Sequence, residues 1–121
     1  MKNFQIQHRK EGDIDILELH GELDAHTASH LEEWFKKLLE LKRSSIIVNC
    51  NDLEYIASAG LGVFMAYIED LRELGGDIKL TNMNGKVYDI FNLLGFPALY
   101  DIVDDERDAL KLYSDGPQAG K

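Results

Sequence analysis

The sequence predicts an α/β domain built on a small, mixed and largely parallel β-sheet, with an N-terminal hairpin and about four helices. Three observations predict it. Short runs rich in β-branched residues alternate with longer amphipathic stretches, the pattern of helices crossing between parallel strands. The first two strand-like runs lie one short polar turn apart, too close for a crossover helix, so they pair as a hairpin. The chain, at 121 residues, suits one domain, and no repeat, linker or low-complexity segment divides it.

Taken in order, Phe4, Ile6 and His8 alternate with polar positions, and Lys10-Glu11-Gly12-Asp13 marks a turn. Ile14 to His20 forms the second strand, which Gly21 is expected to end. Ile14 and Ile16 share one face of it and Leu17 and Leu19 the other, which predicts a strand covered on both sides. Residues 28–41 form an amphipathic helix in which Leu31, Trp34, Phe35 and Leu38 recur at helical spacing. Glu32–Lys36 and Glu33–Lys37 add favourably ordered pairs outside that stripe. Asp24, Thr27 and Ser29 are alternative caps. Ile46-Ile47-Val48 makes a central strand, followed by a connection over residues 52–56.

A second helix is expected over residues 59–74, with Leu61, Phe64, Met65, Ile68 and Leu71 as its stripe and Gly75-Gly76 as its stop. Ile78 and Leu80 lie in a strand over residues 77–81. Val87, Ile90, Phe91 and Leu94 line one side of a third helix over 86–94, which Gly95-Phe96-Pro97 ends. Tyr100, Ile102 and Val103 form a last short strand, and 105–113 a closing helix. The domain is thus expected over residues 1–113, with 114–121, containing Gly116, Pro117 and Gly120, as a flexible tail.

Composition narrows the function classes. With 45% hydrophobic and 29% charged residues the chain is a folding sequence, not a disordered one. No apolar run approaches the ~18 residues of a membrane span, and the N-terminus has no hydrophobic leader core, so an intracellular, soluble, cytoplasmic protein is expected. A formal net charge of −9 argues against nucleic acid or an anionic membrane as a direct partner. The basic clusters, His8-Arg9-Lys10 and Lys36-Lys37 with Lys42-Arg43, mostly alternate with glutamates; any control of transcription would be indirect. The single cysteine, Cys50, closes an apolar run and is expected to be a buried small hydrophobe.

Catalytic patterns are weak. No Cys-x-x-Cys or His-Glu-x-x-His motif is present, and His26 and His30, four residues apart near Asp24, are expected to be exposed helix-start histidines. Ile56-Ala57-Ser58-Ala59-Gly60 lacks the first glycine of a nucleophile elbow, and no histidine follows Ser58. Gly60-Leu61-Gly62 is an incomplete dinucleotide fingerprint, and the Walker A lysine is absent. The expectation is a non-enzyme with no metal or cofactor.

Ser58 suits the role of a substrate better than that of a nucleophile. It sits just before a helix, where unpaired backbone amides and the helix dipole stabilise a phosphate. Ala57, Ala59 and Gly60 leave its hydroxyl uncrowded for another protein's active site. A plain N-cap serine is the alternative. His20-Gly21-Glu22-Leu23-Asp24 offers a second segment, in which Asp24 is either a cap or part of a partner-binding rim with Ser58.

These segments carry a resemblance. His20-Gly21-Glu22-Leu23-Asp24 is similar to the early glycine–aspartate signature of the STAS family, which includes bacterial anti-sigma factor antagonists and domains of sulfate transporters. Residues Asp52 to Val63 resemble that family's phosphorylation loop and the helix after it. The likeness continues through Gly75-Gly76, Leu80-Thr81 and Leu93-Leu94-Gly95, covering about residues 4 to 112. It implies a sheet with helices mainly on one face, so that the other face of the second strand is covered only by termini or partners. It also implies an antagonist that binds an anti-sigma factor with serine kinase activity, is released by phosphorylation of Ser58, and is reset by a serine phosphatase. Asp24, Ala57, Ser58, Ala59, Gly60 and Leu61 are the implied partner-binding residues. The loop departs from the family's common Asp-Ser-Ser-Gly: Ala57 stands in place of the aspartate and Ala59 in place of the second serine. The alternative is an unphosphorylated STAS scaffold in a sensory complex.

Overall fold

Gly12, at φ +61°, turns the chain back on itself, a conformation a side chain would strain. The two strands it joins are β1 (Gln5–Glu11) and β2 (Ile14–Leu23), antiparallel from Gln5↔His20 to Glu11↔Ile14. The computed structural model describes residues 4–115. Beyond the hairpin come α1 (Ala28–Glu40), β3 (Ser45–Ile56), α2 (Ser58–Glu73), β4 (Asp77–Thr81) and α3 (Gly85–Leu93). A 3-10 turn (Phe96–Ala98), β5 (Ile102–Val103) and α4 (Glu106–Asp115) complete the described chain.

The sheet runs in sequence order, β1-β2-β3-β4-β5, with every pair after the hairpin parallel. Each crossover advances by one strand in the same direction, and crossovers of one hand that all advance the same way stack their helices on one face. That face holds the main core: Leu31 and Phe35 of α1, Phe64 and Leu71 of α2, and Val87 and Phe91 of α3 meet Leu17, Val48 and Leu80 of the strands. Phenylalanine rings link the layers, Phe35 to Phe64 at 5.8 Å and Phe64 to Phe91 at 5.9 Å, both edge-on.

The opposite face is covered by α4. Ile16, Ile47 and Ala109 are fully buried there, with Ile14, Val103, Leu110 and Tyr113 packed around them. The Tyr113 hydroxyl lies 2.7 Å from the carbonyls of both Ile46 and Asp77 and accepts the Ile46 N–H at 3.0 Å. The two-sided burial expected for β2 is therefore present, and the C-terminal helix supplies the second layer. Asp15, fully buried on β2, is held by His8 Nε2 and Arg43 Nε, each at 2.7 Å.

Several boundaries differ from the sequence expectation. Gly21, at φ +99°, does not end β2, which runs on to Leu23. Residues 52–56 are not a connection but the end of a long β3. Met65, placed in the α2 stripe, is 59% exposed, while its neighbour Val63 is buried. Leu94 is the C-cap of α3 and is 57% exposed, since the helix ends at Leu93, before its phase can seat Leu94 beside Val87 and Phe91. Ser114 and Asp115, expected in the tail, form the last turn of α4; the rest of that tail, 116–121, lies outside the described residues.

Cys50 is fully buried in β3, and burial pushes its thiol up to about 12. It stays protonated and enclosed at neutral pH. Iodoacetamide at pH 8 is expected to leave it unmodified in the native protein and to label it fully in 6 M guanidinium; mass spectrometry reads both.

Candidate functional site

The two motif segments meet where β2 and β3 end. Leu23 pairs with Ile56 in the parallel register, and the Ala57 N–H donates to the Leu23 carbonyl at 2.9 Å. Asp24 and Ser58, each one residue further on, thus leave the sheet at the same end, the carboxyl ends of the parallel strands, where α/β folds gather their functional loops.

Asp24 organises the turn into α1. Its Oδ1 accepts the backbone N–H groups of His26 at 2.9 Å and Thr27 at 3.2 Å, and its carbonyl accepts the N–H of Ala28 at 2.8 Å. Thr27 Oγ1 answers by accepting the Asp24 N–H at 2.9 Å and donating to the Glu22 carbonyl at 2.8 Å. The His26 and Thr27 donors hold the Asp24 carboxyl below the usual carboxylate range. Asp24 is thus the capping group of this turn. One carboxylate oxygen, Oδ1, takes those bonds, and the residue remains half-buried at the rim.

Ser58 is the first residue of α2, not its cap. Ala57 holds the N-cap position with extended geometry (φ −102°, ψ 172°) and brings no side-chain acceptor. The first helical bonds run from Gly60 N–H and Leu61 N–H to the Ala57 carbonyl, at 3.0 and 3.2 Å, so the amides of Ser58 and Ala59 precede the ladder. Ser58 and Ala59 are exposed and Ala57 is half-buried.

Of the six residues expected at a partner face, Asp24, Ala57, Ser58 and Ala59 reach the surface. Gly60 and Leu61 are buried and shape that surface from beneath. A Cβ at Gly60 would stand 2.7 Å from Leu23 Cγ and 3.1 Å from Ile56 Cγ1, so only glycine lets α2 start this close to the strand ends. Tyr55, 40% exposed and paired in register with Glu22, extends the face, with Lys86 Nζ 5.9 Å from its ring. Sequence reasoning missed this pair, because Lys86 comes from α3 and no local spacing connects it to Tyr55.

A family model for the STAS domain matches residues 5–109. The chain belongs to the STAS domain family. An anti-sigma-B factor antagonist of Bacillus subtilis (strain 168) is 30% identical over 94 residues, which cover 78% of this chain and 84% of that one. Among solved structures, an anti-sigma factor antagonist from Mycobacterium paratuberculosis superposes with a TM-score of 0.85 at 18% identity, covering 93% and 96% of the two chains. The Bacillus cell fate determinant SpoIIAA, solved in its phosphorylated form, gives 0.70 at 20% identity over 92% of this chain and 99% of that one. At those identities the two structures establish the STAS fold. Among the described residues of this STAS domain, no helix is long and apolar enough to cross a membrane.

Proposed function

We infer that this STAS domain is an anti-sigma factor antagonist: it binds an anti-sigma factor in the cytoplasm and is switched off by phosphorylation of Ser58. The observation that carries this reading is the placement of Ser58, an exposed hydroxyl on the first residue of α2, beside helix amides that precede the hydrogen-bond ladder. The relatives named above support the partner class. A kinase-type anti-sigma factor would transfer the γ-phosphoryl group of ATP to Ser58 Oγ, with the hydroxyl proton lost and ADP released; a phosphatase would hydrolyse the ester. The chain itself acts as substrate and ligand.

The added group carries about −1.5 to −2 charges and several strong acceptors. The helix N-terminus tolerates it, because the amides of Ser58 and Ala59 and the positive end of the dipole face the new charge. A partner surface packed against Ser58 does not, since the phosphate must be desolvated and repels any acidic neighbour. The domain therefore stays folded while the complex separates.

Incubation with the cognate kinase and ATP is expected to add about 80 Da, one phosphoryl group, to the wild type and nothing to Ser58→Ala, by intact mass. A kinase that is active and binds the protein yet adds no phosphate would remove the central step. Ala57 favours one second reading, an unphosphorylated scaffold. It removes a carboxylate beside Ser58 that a kinase would otherwise meet, and that same result would make the scaffold the leading account.

A further inference from the structure

Lys86 is the second residue of α3, a place where its charge opposes the helix dipole. No acidic side chain stands in that first turn to offset it, and the cap is Asn84, whose Oδ1 accepts the Val87 N–H at 2.8 Å. The stability of α3 therefore gives no reason for a lysine here. The side chain is exposed, and its Nζ lies 5.9 Å from the ring of Tyr55, itself 40% exposed at the end of β3. The start of α3 is tied to that strand end by the Asn84 Nδ2 bond to the Leu53 carbonyl, at 3.3 Å. The ammonium is thus presented beside an aromatic ring from an anchored backbone.

No carboxylate pairs with Lys86 among the described residues. Its charge is also the exception at this end of the sheet. The segments 22–30, 52–66 and 82–88 carry Glu22, Asp24, Asp52 and Glu54, and Lys86 is their only lysine or arginine. A lone unpaired cation set among acids makes a charge pattern, and such patterns discriminate between partners more than they add affinity.

We propose, resting on the antagonist reading of this site, that Lys86 selects the anti-sigma factor by pairing with an aspartate or glutamate on that partner's docking surface. The acids around it call for a surface that is basic elsewhere; Lys86 requires one carboxylate within that surface. An anti-sigma factor with a basic group at this point meets like charge and is rejected. Tyr55 positions the ammonium before the partner arrives, so less side-chain freedom is lost on binding.

Calorimetric titration of the full chain with the kinase-type anti-sigma factor tests this, the kinase being loaded with ADP so that Ser58 stays unmodified. Lys86→Glu is expected to weaken binding about tenfold or more, and Lys86→Arg to stay within about threefold of the wild type. A negative side chain suits the first turn of α3, so the urea midpoint of Lys86→Glu is expected at or above that of the wild type, which separates lost binding from lost folding. Among partner variants with single exposed acids reversed to lysine, one is expected to bind Lys86→Glu more tightly than it binds the wild-type chain. The proposal is overturned if Lys86→Glu binds as tightly as the wild type, or if Lys86→Arg loses as much as Lys86→Glu. It is equally overturned if the urea midpoint of Lys86→Glu falls below the wild type, or if no reversed partner prefers that variant. In each of these cases the wild-type chain still binds, and the antagonist reading stands. A wild-type chain that binds no anti-sigma factor overturns both.

Discussion

Gly76→Ala is expected to destabilise the protein by about 3 kcal/mol. A Cβ at this position would overlap the carbonyl group of Ser44, and that carbonyl also accepts the Asp77 N–H at 2.9 Å. The obstacle is backbone, so no rotamer change relieves it; either β3 or β4 must shift at the point where their pairing begins, Ser45↔Asp77. Gly62→Ala is the matched control. Nothing lies within 4 Å of its added methyl group, and it sits in the interior of α2. There alanine should stabilise by about 0.5–1 kcal/mol. Urea midpoints for the two variants are expected to move in opposite directions, and a Gly76→Ala midpoint equal to the wild type would refute the close approach.

Phe64→Ala is expected to cost about 3–5 kcal/mol. Phe64 is fully buried and its ring is the only side chain that stands edge-on to both Phe35 of α1 and Phe91 of α3 among the described residues. Removing it opens a void at the junction of three helices. The next residue gives the contrast. Met65 is 59% exposed, and Met65→Ala should stay within about 0.5 kcal/mol. Equal denaturation midpoints for the two variants would mean that α2 is rotated from the orientation described.

Much of the fold is legible because most elements keep a clean period. Leu31, Phe35 and Leu38 are buried as their helical spacing predicts, and so are Ile46 and Val48 as strand residues. The exceptions have physical causes. Residues 52–56 failed to look like a strand because the inward side chains after Cys50 are Leu53 and Ile56, at steps of three. The irregularities in the β2–β3 register, at Glu18/His20 and Gly21/Glu22, absorb that break in the two-residue period. Met65 met the apolar test for the α2 stripe but lies on the wrong side of the helix, and hydrophobicity alone does not fix phase. At the site, the segments holding Asp24 and Ser58 were readable as local motifs. The cap position taken by Ala57 and the approach of Lys86 to Tyr55 were not, since each depends on how separate elements come together.

The sheet is widest at its middle and narrows toward the end that carries Ser58. β4 stops pairing at Asn49↔Thr81, while β2 accompanies β3 to Leu23↔Ile56. Over the stretch 50–56 the β-ladder runs along the β2 flank, and on the other side the Asn84 amide reaches the Leu53 carbonyl at 3.3 Å. Ile46 to Asn49 are bonded on both flanks, so deuterium is expected to reach their amides only when the whole domain opens. The platform that carries Ser58 is expected to exchange through a smaller, local opening.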